Sequence, residues 1–265
     1  MGTDKRARQK AGRAARLEEA AQVQQRTQRK RTVTGLAVVV AIVAAIGVFF
    51  VARGSGKKSS GVSCPKADGS SPRQLTFAGS PPQCMEAGKT YTATVKTNLG
   101  TVVMTMDPSR APQAANSFVF LSGYHYYDNT KLFRVSQSID IVQGGSPHTQ
   151  NNSDPGPGFT LTDEPTFTTG ASGQLKGPYT YNAGDLALAN TGQPNSAGGQ
   201  FFFVTGPNGK NMNASGTYMI IAHVTSGLPI LQRIVSTAKA DPTSTTGDQT
   251  PNPPATIQSI TITSK

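Results

Sequence analysis

Acidic side chains are scarce in this 265-residue chain: 14 Asp and Glu face 25 Lys and Arg, for a formal charge of +11. Such an excess would suit a polyanion partner, but its placement argues against one. Residues 1–58 hold 13 of the basic groups and three of the acidic ones, so +10 of the +11 lies there and residues 59–265 are nearly neutral. A nucleic-acid reader needs its cations on the folded face that meets phosphate, so no nucleic-acid partner is expected. Cysteine is scarce too. Cys64 and Cys84 are the only two, and no histidine or third cysteine lies near them to complete a metal-ligand set. His125, His148 and His223 are scattered and match no carboxylate or cysteine pattern. They read as structural or exposed side chains, and no metal site is expected. Internal repeats are missing, and no βαβ rhythm supports a doubly wound sheet.

The amino-terminal third is organised by charge and hydropathy. Residues 1–32 form a basic, solvated tail with no apolar period that could build a core. Residues 33–52 contain an uncharged apolar run from Gly35 to Ala52, which with its flanking threonines reaches the roughly 20 residues needed to cross a bilayer as a helix. The Lys/Arg excess before it predicts a cytoplasmic amino terminus and an extracytoplasmic remainder. The run is longer than a signal-peptide core and lacks a small-x-small cleavage pattern where Ala52 meets Arg53, so an uncleaved single-pass anchor in the cell membrane is expected. Cys64 lies too far beyond the run to be a lipidated first residue. Residues 53–90, rich in Gly, Ser, Pro and Lys, read as a linker. In an oxidising compartment its two cysteines point to a Cys64–Cys84 disulfide.

From Tyr91 onward the pattern is mainly β. Segments 92–97 and 101–106 alternate small-polar and apolar residues around Asn98-Leu-Gly, which reads as a hairpin. Segment 108–124 reads as a helix, with Asp107 or Ser109 to cap it, Pro112 in its first turn and Ala115, Phe118, Val119 and Leu121 facing inward. Further strands are expected at 131–135, 139–143, 185–189, 200–205, 218–224 and 256–262, and a second helix at 228–236. Eight strands and two flanking helices suggest a closed antiparallel barrel, because closure removes exposed edges. Segments 146–158, 168–178 and 241–254 read as loops.

Two segments carry the chemistry. Segment 132–145 reads Leu-Phe-Arg-Val-Ser-Gln-Ser-Ile-Asp-Ile-Val-Gln-Gly-Gly, and segment 187–205 reads Ala-Leu-Ala-Asn-Thr-Gly-Gln-Pro-Asn-Ser-Ala-Gly-Gly-Gln-Phe-Phe-Phe-Val-Thr. Together they resemble the two signature blocks of the cyclophilin family of peptidyl-prolyl cis–trans isomerases. Supporting matches occur in order at 111–118, 126–128, 156–165 and 218–224, so the resemblance covers residues 91–265. The tail, anchor and linker layout resembles actinobacterial exported cyclophilins.

The resemblance implies a cyclophilin-like eight-stranded barrel and a non-covalent isomerase that needs no cofactor and takes proline-containing polypeptides as substrates. By its pattern Arg134 is the catalytic donor and Gln143 orients it. Phe202 is the base of the proline pocket, with Ile141, Met212 and Tyr218 around it, while Ala189, Asn190 and Gln200 contact the substrate backbone. Asp163 and Glu164 are expected to anchor a loop, and Phe201 and Phe203 to face the core, since neighbours on a strand point to opposite sides. Phe133 stands where the family usually has His. One extra residue between Arg134 and Gln143 leaves Ile139 and Asp140 as candidates for one pocket position, and Gln193 is a further insertion. These departures leave a second reading open: a proline-peptide binding module or holdase with weak turnover.

Overall fold

The computed structural model describes residues 61–265 apart from 171–172, 243 and 245–246. The expected tail at 1–32 and apolar span at 33–52 lie outside the described residues. Among the described residues no helix is long and apolar enough to cross a membrane.

Period-two alternation builds a curled antiparallel sheet, with eleven strands among the described residues where the sequence suggests eight. In chain order the elements are β1 (Tyr91–Thr97), β2 (Gly100–Met106), helix α1 (Pro112–Gly123), β3 (Thr130–Leu132), β4 (Arg134–Ser136) and β5 (Ile141–Gly144). Then come β6 (Thr168–Thr169), β7 (Leu175–Lys176), β8 (Asp185–Leu188), β9 (Phe201–Val204), a 3₁₀ helix (Pro207–Ala214), β10 (Ile220–Ser226) and α2 (Leu228–Thr237). The chain finishes with β11 (Lys239–Ala240), β12 (Gln249–Thr250) and β13 (Ala255–Ser264). The main sheet is antiparallel, in the order β11-β12-β4-β5-β9-β8-β10-β2-β1-β13-β3. It curls so far that both sides reach one kinked strand, 130–136. The first half of that strand pairs with β13, Leu132 opposite Ala255, and the second half with β5, Arg134 opposite Gln143. Phe133 is the kink, and its N–H still donates to the Gln143 carbonyl at 2.9 Å.

Several local expectations need correction. Segment 168–178 carries the small β6–β7 hairpin, and segment 241–254 carries β12. The 3₁₀ helix, whose polar Asn-Gly-Lys-Asn stretch has no apolar period, is not foreshadowed in the sequence. Helix α1 starts at Pro112 and not at Pro108, and neither Asp107 nor Ser109 caps it. Its exposed N–H groups are instead met from a distance: the Glu164 carboxylate accepts from Gln113 N–H at 3.1 Å and Ala114 N–H at 2.9 Å. This satisfies two of the orphan donors of the first turn and sets a negative charge at the positive end of the helix dipole.

Residues 61–90 are not a free linker in their later part. Phe77 is buried against Phe120, Tyr124 and Phe159, with ring centroids 4.8 to 6.4 Å away. Asn116, buried in α1, accepts from the N–H groups of Cys84 and Met85 and donates to the Pro82 carbonyl. The Cys64–Cys84 disulfide closes this segment, as expected. A loop of this size contributes about 3 kcal/mol in the chain-entropy account. Phe77 and Met85 are isolated apolar residues among polar ones, so no periodicity announces their burial.

The core is aromatic. Phe118 of α1 stacks on Tyr127, and both meet Phe201 edge-on, with centroids between 5.2 and 5.4 Å apart. Phe201 and Phe203 are fully buried, as the strand alternation requires. Helix α2 buries Leu231, Ile234 and Val235 and approaches β2 through Gly227, where a φ of +89° and the Thr101 carbonyl, 2.4 Å from where a Cβ would sit, leave no room for a side chain.

The attachments of the strapping segment and α1 can be tested separately. Glu164→Ala removes the distant cap of α1 and should lower unfolding free energy by about 1–2 kcal/mol in a urea titration. His125 donates from Nε2 to the Gly69 carbonyl at 3.0 Å and meets Asp128 at 2.9 Å through Nδ1. Both ring nitrogens act as donors only when protonated. The Gly69 carbonyl above all, and then Asp128 against the opposing effect of burial, therefore raise its pKa. A raised folded-state pKa stabilises below the unfolded value of about 6.5 and loses that contribution as pH climbs through the folded value. Protection of the amides around Gly69, taken relative to their intrinsic base-catalysed exchange rates, should therefore fall from pH 6 to pH 8, and His125→Gln should abolish that fall.

Candidate active site

Three neighbouring strands place the candidate residues in a row. Arg134 of β4 lies opposite Gln143 of β5, and Gln143 lies opposite Phe202 of β9. Residues paired across antiparallel strands project to the same face, so all three point one way, together with Ile141 two positions before Gln143. Phe201 and Phe203 point the other way into the core. The face they leave carries a cavity of about 160 Å3 lined by Arg134, Ile139, Ile141, Gln143, Asn152, Ala189, Asn190, Phe202, Met212 and Tyr218.

The floor of the cavity is apolar. Phe202, 2% exposed, meets the Tyr218 ring edge-on at 5.1 Å and 88°. Ile141 and Met212 are buried beside it, and Met212 arrives on the 3₁₀ helix. That helix is tied down from both flanks: Asn211 donates to the Ser138 carbonyl and Asn213 accepts from Tyr181 N–H, each at 2.9 Å.

The rim is a chain of oriented amides. Arg134 donates from Nη1 to Gln143 Oε1 at 2.7 Å. Because a guanidinium offers donors only, it fixes which end of the Gln143 amide faces it. The Nε2 group then donates to Gln200 Oε1 at 2.8 Å and Asn152 Oδ1 at 3.1 Å. Gln200 thus stands next to Gln143, beside a second, larger hollow of about 400 Å3 that shares Gln143, Asn152, Ala189 and Asn190 with the first. Asn190 spends its side chain on backbone groups, donating to the Thr217 carbonyl before β10 and accepting from Gly192 N–H of its own loop. Gly145, at φ +90°, lets its strand pass within 2.5 Å of the Gly199 carbonyl, measured from where a Cβ would sit, and so brings the two loops together.

The extra residue between Arg134 and Gln143 is absorbed without disturbing this row. Asp140 takes a left-handed conformation, φ +48°, and turns away from the cavity. Its carbonyl accepts from Thr205 N–H and Oγ1, and its Oδ2 accepts from Asn208 N–H at 2.8 Å. Ile139 is therefore the residue of the pair that lines the pocket.

Two participants carry no signal in the sequence. Asn152 sits in the 146–158 segment, and nothing in its polar surroundings distinguishes it from its neighbours. Asp248, in a segment that reads as a loop, places Oδ1 2.9 Å from Arg134 Nη2. Asp163 and Glu164 do hold loops: Asp163 exchanges two 2.9 Å hydrogen bonds with Asn195, and Glu164 meets α1. The histidines are not without carboxylates, contrary to the sequence pattern. His125 meets Asp128, His148 meets Asp154 and His223 meets Asp185, each at 2.9 to 3.1 Å. These pairs are invisible in sequence where, as with His223 and Asp185, the partners lie on different strands. Burial opposes ionisation of Asp154, but the N–H groups of Gly156, His148 and Thr149 and the His148 ring outweigh it and hold the carboxyl below its ordinary value. The loop beside the larger hollow is built on that carboxylate.

The family model for cyclophilin type peptidyl-prolyl cis-trans isomerases matches residues 92–262. A probable peptidyl-prolyl cis-trans isomerase B of Mycobacterium leprae is 34% identical over 143 residues, 50% of this chain and 48% of that protein, so the chain spans about half the length of that relative. The peptidyl-prolyl cis-trans isomerase A of Mycobacterium tuberculosis is 30% identical over 190 residues, covering 65% of this chain and 92% of its own. A crystal structure of a Cryptosporidium parvum cyclophilin type peptidyl-prolyl cis-trans isomerase, determined in the presence of the dipeptide Ala-Pro, superposes with a TM-score of 0.52. It is 25% identical and covers 66% of this chain and 99% of its own.

The left-handed turn yields a direct test. Asp140→Val puts a β-branched side chain at positive φ and leaves the Asn208 N–H without its acceptor. It should lower unfolding free energy by about 2–4 kcal/mol, measured by urea denaturation.

Proposed function

The chain belongs to the cyclophilin-type peptidyl-prolyl cis–trans isomerase family, and from that premise we propose that residues 91–265 rotate Xaa-Pro bonds in exported or unfolded polypeptides. The observation that carries the reading is the Arg134–Gln143 pair standing over the Phe202 floor. Xaa-Pro bonds prefer trans only weakly but cross a barrier of about 18–20 kcal/mol. Rotation needs no bond making. It needs the proline ring held while the amide twists, and it needs a donor for the nitrogen, which becomes a better acceptor once conjugation is lost.

The residues supply both. Phe202, Ile141, Met212, Ile139 and Tyr218 offer the ring an apolar seat, and burying a ring of this size contributes about 2 kcal/mol. Arg134, only partly exposed and braced by Gln143, is a donor already in place, so little reorganisation is needed as the amide twists. Gln143, Gln200, Asn152 and the Ala189–Asn190 segment present polar groups to the peptide backbone, and the adjoining hollow gives side chains before the proline a place to lie. The apolar run at 33–52 supports a membrane anchor with the isomerase outside the cytoplasm, where Cys64–Cys84 would remain oxidised. Proline-containing chains emerging from export are the substrates this arrangement favours. The binding-module reading has less support now that Asp140 points away from the pocket and the extra residue leaves the row intact.

The deciding measurement is cis-to-trans conversion of an Xaa-Pro peptide by the full chain in detergent micelles, beside Arg134→Ala. The wild type should accelerate conversion over buffer, and the variant should lose about 10²- to 10³-fold in kcat/KM, the usual cost of one transition-state donor. Peptide binding without acceleration by the wild type would leave the binding module as the function.

A further inference from the structure

Arg134 is gripped at two nitrogens. Nη1 reaches Gln143 of β5, and Nη2 reaches the Asp248 carboxylate at 2.9 Å. We propose that Asp248 is a positioning residue of the active site, which fixes the plane of the Arg134 guanidinium so that it meets the twisting amide in one orientation. This rests on the isomerase reading above.

The placement is built by backbone, not by the ion pair. Gln249 pairs with Val135, which puts Asp248 diagonally across from Arg134, within the reach of long side chains. Asp248 N–H donates to Ser244 Oγ at 2.9 Å, and its carbonyl accepts from Asp241 N–H at 3.1 Å. The same hairpin pairs Lys239 with Thr250 and Ala240 with Gln249, and Gln249 Nε2 donates to Gln137 Oε1. The carboxylate is thus delivered to Arg134 by a hairpin with its own supports. The pair is also well shielded: the side chains are 24% and 14% exposed, where an ion pair is screened less than on an open surface. A guanidinium held only by Gln143 could pivot about that one bond. Held at two nitrogens by partners from opposite neighbours of β4, it cannot.

The test uses the full chain with Asp248→Ala, the isosteric Asp248→Asn, Asp248→Glu and Arg134→Lys. Asp248→Ala, still folded at the assay temperature, should cut kcat about tenfold with KM within about twofold, and Asp248→Glu should recover part of the loss. In the Arg134→Lys background Asp248→Ala should cost little more, because the group it positions is already gone. Wild-type kcat in both Asp248→Ala and Asp248→Asn, or an equal loss in the Arg134→Lys background, overturns the proposal. The Arg134 Nε–H resonance gives a second readout that needs no turnover: sharp in the wild type, broadened in Asp248→Ala. An unchanged resonance overturns the proposal too, whereas a wild type without turnover overturns only the isomerase reading.

Discussion

The 2.7 Å hydrogen bond from Arg134 to Gln143 exists in one strand register and no other. A slip of one residue between β4 and β5 would send either side chain to the opposite face, and a slip between β5 and β9 would move Phe202 into the core and Phe201 out of it. What prevents the slip is the other face. Phe201 is clasped by Phe118 and Tyr127, with Phe203 behind it, and moving those rings into water would cost several kcal/mol. The aromatic core therefore sets the alignment of the polar row, and helix α1, which supplies Phe118, supports that row at a distance through packing.

Helix α1 in turn depends on groups far from it in sequence. Its first turn is completed by Glu164, and Asn116 on its flank holds the strap 82–85 closed by Cys64–Cys84. These polar attachments are local solutions to one accounting problem, the buried or half-buried N–H groups that no strand or helix satisfies. They also explain why residues 61–90 belong with the domain: its backbone donors end on α1, on Pro157 and on Tyr124, not in solvent alone.

The parts of this structure that were legible in the sequence are those written in periodicity or in a dense local motif. The alternation at 91–106 gave β1 and β2, and the Gln-Gly-Gly and Gln-Phe-Phe segments placed Gln143 and Phe202 on one cavity and Gln200 on the hollow beside it. What stayed hidden was recognition between distant polar residues. Glu164 as the cap of α1, Asn152 on Gln143, Asp185 on His223 and Asp248 on Arg134 each join positions whose separation in sequence carries no signal, since a single carboxylate in a polar loop looks like any other. Asp140 was ambiguous for a related reason. A one-residue insertion can move a side chain to the other face or be taken up in a left-handed turn, and only the donors it meets at Thr205 and Asn208 decide between them.

Pairing the donor with a carboxylate also suits the reaction. Xaa-Pro rotation generates no ion; it returns electron density to the imide nitrogen and asks for direction more than for charge. A lone buried cation would attract any acidic side chain near the twisting bond and would suffer a large desolvation cost. Arg134 beside Asp248 keeps its directional N–H groups while the local charge is compensated, so the donor can be held in a shielded place where its hydrogen bond is stronger than in water. On this view the small β11–β12 hairpin is part of the active site's electrostatics, and the site extends one strand further than the cavity itself.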